Sequence, residues 1–187
     1  MSTAAPPMTL EQMLALPEDG VERELVRGEL REKPMTRRNY RHSTVESLVV
    51  WALIDWWKAQ PEPRGVVASG EAGFRLHRNP DTGVGIDVAY VSPEVVALTQ
   101  DVAYFEGPPV LAVEILSPSD MQAGVDEKVE LYLGSGVSLV WVINPRFRTV
   151  TVHRPGAEPE LFNVTHELTA EPHLPGFRVP VAHLFPS

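Results

Sequence analysis

Three short stretches of the chain are apolar almost without interruption. Residues 110–116 read V-L-A-V-E-I-L, apolar at six of seven positions, and 84–91 and 138–144 come close to the same pattern. Runs this short and this rich in Val, Leu and Ile predict strands buried on both faces of a sheet. Residues 22–26 and 29–33 flank Arg27-Gly28, which reads as a tight hairpin turn, and 149–154 alternates in polarity as the hairpin partner of 138–144. Residues 66–76 predict one bent strand or two short ones, with Gly70 and Gly73 marking bulges or bends.

Between these strands the period changes to that of a helix. Thr9-Leu10-Glu11-Gln12 is a capping box that opens a short helix to about Leu16. Over 37–59, Val45, Leu48, Val49, Ala52 and Trp56 form one stripe, and Val50, Trp51, Leu53, Ile54 and Trp57 widen it. A helix apolar round so much of its circumference is buried deeply or covered by a second subunit. Trp51, Ile54 and Trp57 lie off the main stripe, so a homodimer through this face is expected. The alternative is that residues 161–185 fold over it. Ser92-Pro93-Glu94 opens another short helix, and 120–134 is an amphipathic one that Ser117-Pro118-Ser119-Asp120 can cap. From Pro155 onward the pattern gives short strands and a Pro175-Gly176 turn. Hairpins interleaved with a crossover helix make an α/β sandwich around a mixed β-sheet flanked by helices. It forms a single domain over 9–187, behind a loose tail at 1–8.

Composition narrows the chemistry. No cysteine is present, which excludes disulfides, thiol nucleophiles and Cys-ligated zinc, and fits a cytoplasmic setting. No apolar run is long enough to span a membrane. The net charge of −9 argues against non-specific nucleic-acid binding but leaves a local cleft open. The six histidines show no zinc-type spacing. His42 adjoins a basic run and could touch a phosphate, although a surface histidine is the ordinary reading.

Three residues break the apolar pattern of their elements. Glu114 sits inside one buried strand and Asp87 inside another, where a carboxylate is costly without a metal or a cationic partner. By strict alternation Asp87 shares a face with Gly85 and Ala89, small neighbours that leave room for an ion. Lys128, one of three lysines, follows the helical stripe Met121, Val125, Lys128, Tyr132 and so points to the core side. Taken singly, Asp87 reads as a strand-end residue and Glu114 as an ion-pair partner of Lys128, whose ammonium could also reach out to water. Taken together, two carboxylates on two strands and a lysine fourteen residues after the second suit metal-assisted phosphodiester hydrolysis. The carboxylates are hard ligands for Mg²⁺ or Mn²⁺, and the lysine orients a water and stabilises developing charge.

The chain resembles the PD-(D/E)XK nuclease superfamily and, within it, the Uma-type family of restriction-type endonucleases. The matching pieces are R-E-L-V-R-G-E-L from Arg23, I-D-V-A-Y-V from Ile86, V-E-I-L-S-P-S-D from Val113, E-K-V-E-L-Y from Glu127, V-W-V-I-N-P from Val140 and L-P-G-F-R-V-P from Leu174. The resemblance implies a restriction-endonuclease-like core with an extra N-terminal hairpin and C-terminal strands. It implies Asp87 and Glu114 as metal ligands, Lys128 as the catalytic lysine and DNA as the substrate. Ile86 stands where the superfamily name has proline, and Leu116 where many members carry the lysine. Glu24 matches a family glutamate that can touch the metal or hold a ligand water, and reads equally as an exposed strand residue. Glu71 is a weaker candidate. Arg23, Arg27, Arg31, Lys33, Arg37, Arg38 and Arg41 form a mixed basic run that is either a phosphate-contacting surface or a solvated face. The competing functions are a nuclease fold that binds without cutting, and a two-carboxylate glycosidase, which needs no lysine on the core side.

Overall fold

Thr9 opens the first helix as its capping box predicts: its side chain accepts the Gln12 N–H while Gln12 accepts the Thr9 N–H. In this computed structural model, which describes residues 6–34, 39–99 and 103–186, the helix α1 spans Leu10–Leu14. A hairpin follows, β1 (Val21–Val26) and β2 (Glu29–Pro34), with Arg27 and Gly28 both at positive φ. Two such residues give the turn whose twist matches that of paired strands. Asn39 caps α2 (Tyr40–Lys58). Then come β3 (Val66–His77), β4 (Thr82–Val91), α3 (Pro93–Leu98), the two-residue strand β5 (Phe105–Glu106) and β6 (Leu111–Ile115). The helix α4 (Gln122–Gly134) crosses to β7 (Leu139–Asn144), and β8 (Thr149–His153) returns. The chain closes with β9 (Glu160–Asn163), a small ladder of β10 (Glu167–Thr169) and β11 (Arg178–Pro180), and a single 3₁₀ turn, Val181–Leu184.

Strands β1 to β9 form one mixed sheet in the order β2-β1-β4-β6-β7-β8-β9, with β3 on β4 and β5 on β3. The β6–β7 and β3–β5 pairs are parallel and the rest antiparallel. Apolar residues bury against both faces. On one, Val45, Val49 and Leu53 of α2 pack with Val113, Ile115, Trp141 and the C-terminal residues Leu168, Leu174, Phe177 and Leu184. On the other, Val129 and Tyr132 of α4 pack with Ile86, Ala89, Ala112 and Val140.

Residues 66–76 are one strand, bulged where Ser69 pairs with Val88 and Ala72 with Ile86; Gly70 and Glu71, both at positive φ, form the bulge. One expectation is corrected here. Opposite the bulge, Ile86 and Ala89 face the same cluster although three residues apart, so strict alternation fails around Asp87. The surplus apolar surface of α2 is mostly covered from within the chain. Trp56 packs edge-on to Tyr90 and Phe177 and donates to Pro175 O, while Trp57 donates to Gly65 O beneath Arg64. Of the three residues read as an interface, Trp51 is 59% exposed and Ile54 and Trp57 are half-buried.

Candidate active site

The β4 strand makes the site by running out of partners. On the edge that β3 leaves open, β1 meets it at Gly83 and β6 at Val88, Ala89 and Tyr90. Between them the sheet forks, and backbone groups there need other partners. The next pair in the β4–β6 register is Asp87 and Glu114. The Asp87 Oδ2 accepts the Ile115 N–H at 2.8 Å, a bond the ladder would otherwise have made. Tyr132 lies 3.4 Å from Gly85 O.

The same Asp87 oxygen lies 3.2 Å from His42 Nε2. Facing an ionised carboxylate, which only accepts, the imidazole would carry its proton on Nε2. His42 is 1% exposed, which overturns the surface reading. Its Nδ1 has no hydrogen-bond partner and lies 3.8 Å from Glu46, whose other oxygen accepts the Gly70 N–H in the bulge. The α2 stripe carried the signal: stepping back three residues from Val45 reaches His42.

Glu114 is held by α4. Lys128 Nζ donates to its Oε2 at 2.9 Å, and the Tyr132 hydroxyl to its Oε1 at 2.7 Å. Burial, together with the charge of Asp87, pushes the Glu114 carboxyl above its usual value despite the lysine. Burial is the largest single influence on the Lys128 ammonium and works against it, but the charge of Glu114, with Tyr132, Glu24 and the hydrogen bond to Glu114, together hold its pKa well above normal. Burial and then Glu114 push the Tyr132 phenol up as well, so it stays a donor. Glu24 on β1 lies 3.8 Å from Lys128 Nζ.

The buried face of α4 differs from its predicted stripe. Val129 and Tyr132 are its centre, Lys128 lies on its flank with 28% of its side chain exposed, and Met121 precedes the helix at 77% exposure. No side chain caps α4; Asp120 instead accepts the Ser117 N–H. Tyr132 was on the predicted stripe, but nothing in the sequence marked it as a partner of Glu114.

A cleft of about 290 Å³ gathers Glu24, Glu71, Asp87, Glu114 and Lys128 along its walls, with Arg31 and Lys33 at its side. The carboxylate set fits a hard divalent cation by its chemistry, and the repulsion between Asp87 and Glu114 is what such a cation relieves. Among the described residues no three acidic or histidine side chains converge into a cage. The basic run does not act as one surface: Arg23 is tied to Asp19 and Glu32, Arg31 to Glu127 at 2.6 Å and Lys33 to Glu22. Arg37 and Arg38 lie outside the described residues. No described helix is long and apolar enough to cross a membrane.

The family model for Uma2, described as "Putative restriction endonuclease", matches residues 10–182. A crystal structure of a protein described as a putative nuclease belonging to DUF820, from Anabaena variabilis ATCC 29413, superposes with a TM-score of 0.76. It shares 24% identity over 96% of this chain and 98% of that one. No curated protein matches the chain.

Proposed function

Since the chain belongs to the Uma2 family of putative restriction endonucleases, we propose that it is a metal-dependent endonuclease that hydrolyses DNA phosphodiester bonds. The observation that carries this reading is the meeting of Asp87, Glu114 and Lys128 in one cleft, from two strands and a helix far apart in sequence. Asp87 and Glu114 would hold Mg²⁺ or Mn²⁺, with Glu24 and Glu71 within the same walls. When bound, such an ion lowers the pKa of a water and neutralises charge on the phosphate.

The chain's own residues do the rest. His42 and the Ile115 N–H fix the Asp87 carboxylate from one side, leaving its direction set before any ligand arrives. Tyr132 fixes Glu114 from the other, so Lys128 can leave its ion pair for a water or a phosphate oxygen without freeing the carboxylate. Lys128 is a cation partly withdrawn from water at the cleft wall, where its field acts more strongly than in bulk water. A glycosidase would not need it. The fold that binds without cutting is distinguished by the same assay.

Plasmid nicking in Mg²⁺ tests the proposal, with Asp87→Asn as the control. The wild type should nick and the variant should not, and calorimetry should find Mg²⁺ binding weakened at least tenfold by loss of the charged ligand. Unchanged Mg²⁺ affinity in that variant would remove Asp87 from the ligand set; wild-type binding of DNA without nicking would favour the binding module.

A further inference from the structure

The turn between β7 and β8 has no part in the cleft chemistry, and its charge stands apart from the rest of the chain. From 131 to 157 there is no acidic residue, while Arg146, Arg148 and Arg154 all fall there. In a chain of net charge −9 this is a local reversal of sign. At the tip Phe147 is 68% exposed, between the exposed Arg146 and Arg148. The turn holds it out firmly: Asn144 Oδ1 accepts the N–H of Arg146 at 3.0 Å and of Phe147 at 3.1 Å. Pro145 fixes its own φ, and Arg148 sits at φ 52°. A large aromatic ring fixed in water adds nothing to a core. The Arg146 guanidinium lies 5.5 Å from its ring centre and that of Arg148 5.9 Å from the Phe185 ring. Among the described residues neither is in an ion pair.

The topology sets this turn beside the cleft. β6 and β7 are parallel and in register from Leu111 and Leu139 to Ile115 and Ile143, so both leave the sheet at the same end. The chain beyond Ile115 lines the cleft through Leu116, Ser119, Asp120 and Met121. The turn lies one strand further on, about 5 Å across the sheet. On the opposite side Arg31 and Lys33 of β2 line the cleft. Both of these cations are ion-paired, Arg31 to Glu127 and Lys33 to Glu22, so the turn is the margin of the site where arginines stand without a carboxylate partner among the described residues.

We propose that the turn at 145–148 is a second nucleic-acid contact, with Arg146 and Arg148 on backbone phosphates and Phe147 against a base. The proposal rests on the endonuclease reading and adds where the duplex lies: across the sheet end, from the cleft to the turn. Guanidinium groups take phosphate oxygens in pairs, and an exposed aromatic stacks on a base or wedges into a groove.

Fluorescence anisotropy of a labelled duplex tests it, in chelator so that nothing is cut and again with Ca²⁺. Phe147→Ala should weaken binding about tenfold. The double variant Arg146→Gln with Arg148→Gln should flatten the slope of log affinity against log salt by about 1.8, or about 0.9 for each phosphate left without its arginine. If both variants bind like the wild type while Arg31→Gln with Lys33→Gln binds less, the turn does not touch the duplex and the endonuclease reading survives. If the wild type binds no DNA, both readings fall. The three side chains are exposed, so the variants should melt with the wild type; a lowered melting temperature would assign the turn to the fold and overturn the proposal.

Discussion

Lys128 is both an ion-pair partner and the candidate catalytic cation, and the two roles separate by experiment. Lys128→Met leaves Glu114 with Tyr132 alone. The uncompensated carboxylate should cost about 1–3 kcal/mol in urea melts, the loss expected when one partner of the ion pair is removed. Adding Glu114→Gln should recover most of that stability, because contacting residues couple. If Lys128 is catalytic, neither variant nicks plasmid. Wild-type nicking by Lys128→Met would end that role. His42 acts one bond further back. His42→Ala should lower Mg²⁺ affinity about 10–100-fold by calorimetry, as loss of a partner behind a metal-binding carboxylate does. His42→Gln, which can present an N–H to Asp87, should restore much of it. Equal affinities in both variants and the wild type would leave His42 as a core residue only.

At the scale of elements, the site depends on a bulge and on a helix that pins the far end of β3. The bulge at Gly70 and Glu71 goes with the break in alternation at Asp87, and Glu71 fills the space a Cβ at Gly85 would need. Arg75, on the same strand, is buried and is met by Glu11 of α1 and, at 3.6 Å, by Glu106. Backbone N–H groups at the start of α1, then Arg75, bring the Glu11 carboxyl down to about 2 from 4.5. A carboxyl depressed on folding stabilises fully above its unfolded value and loses that contribution as pH falls through the folded one. The stability difference between wild type and Glu11→Gln should therefore be constant above about pH 4.5 and shrink toward zero near pH 2 in urea melts. A difference independent of pH would show that the carboxylate charge is not what Arg75 uses.

For the whole molecule, the homodimer expected from α2 has less apolar surface to draw on than the pattern of the helix suggested. Leu53 is fully buried, and the C-terminal segment packs on the helix through Phe177 and Leu184. Of the three residues read as an interface, Trp51 remains exposed and Ile54 and Trp57 are half-buried. Light scattering at micromolar concentration should give a mass near 20.7 kDa. About twice that mass, reduced by Trp51→Glu, would restore the dimer and its surface.

Periodicity is local, and what it can decide was legible from residue order: the buried strands around Asp87 and Glu114, the Arg27-Gly28 hairpin, the capping box at Thr9 and the two long helices. Each rests on neighbours within about four positions, where backbone geometry fixes direction. What depended on the tertiary structure was how those directions meet. Asp87 and Glu114 come together because β1 and β6 share one edge of β4, and no local pattern encodes a fork. Tyr132 as a partner of Glu114, the turning of His42 into the site and the covering of α2 by a segment more than a hundred residues later are contacts at long separation. They arise from burial satisfied once, by whichever surface arrives, and sequence spacing says nothing about which that is.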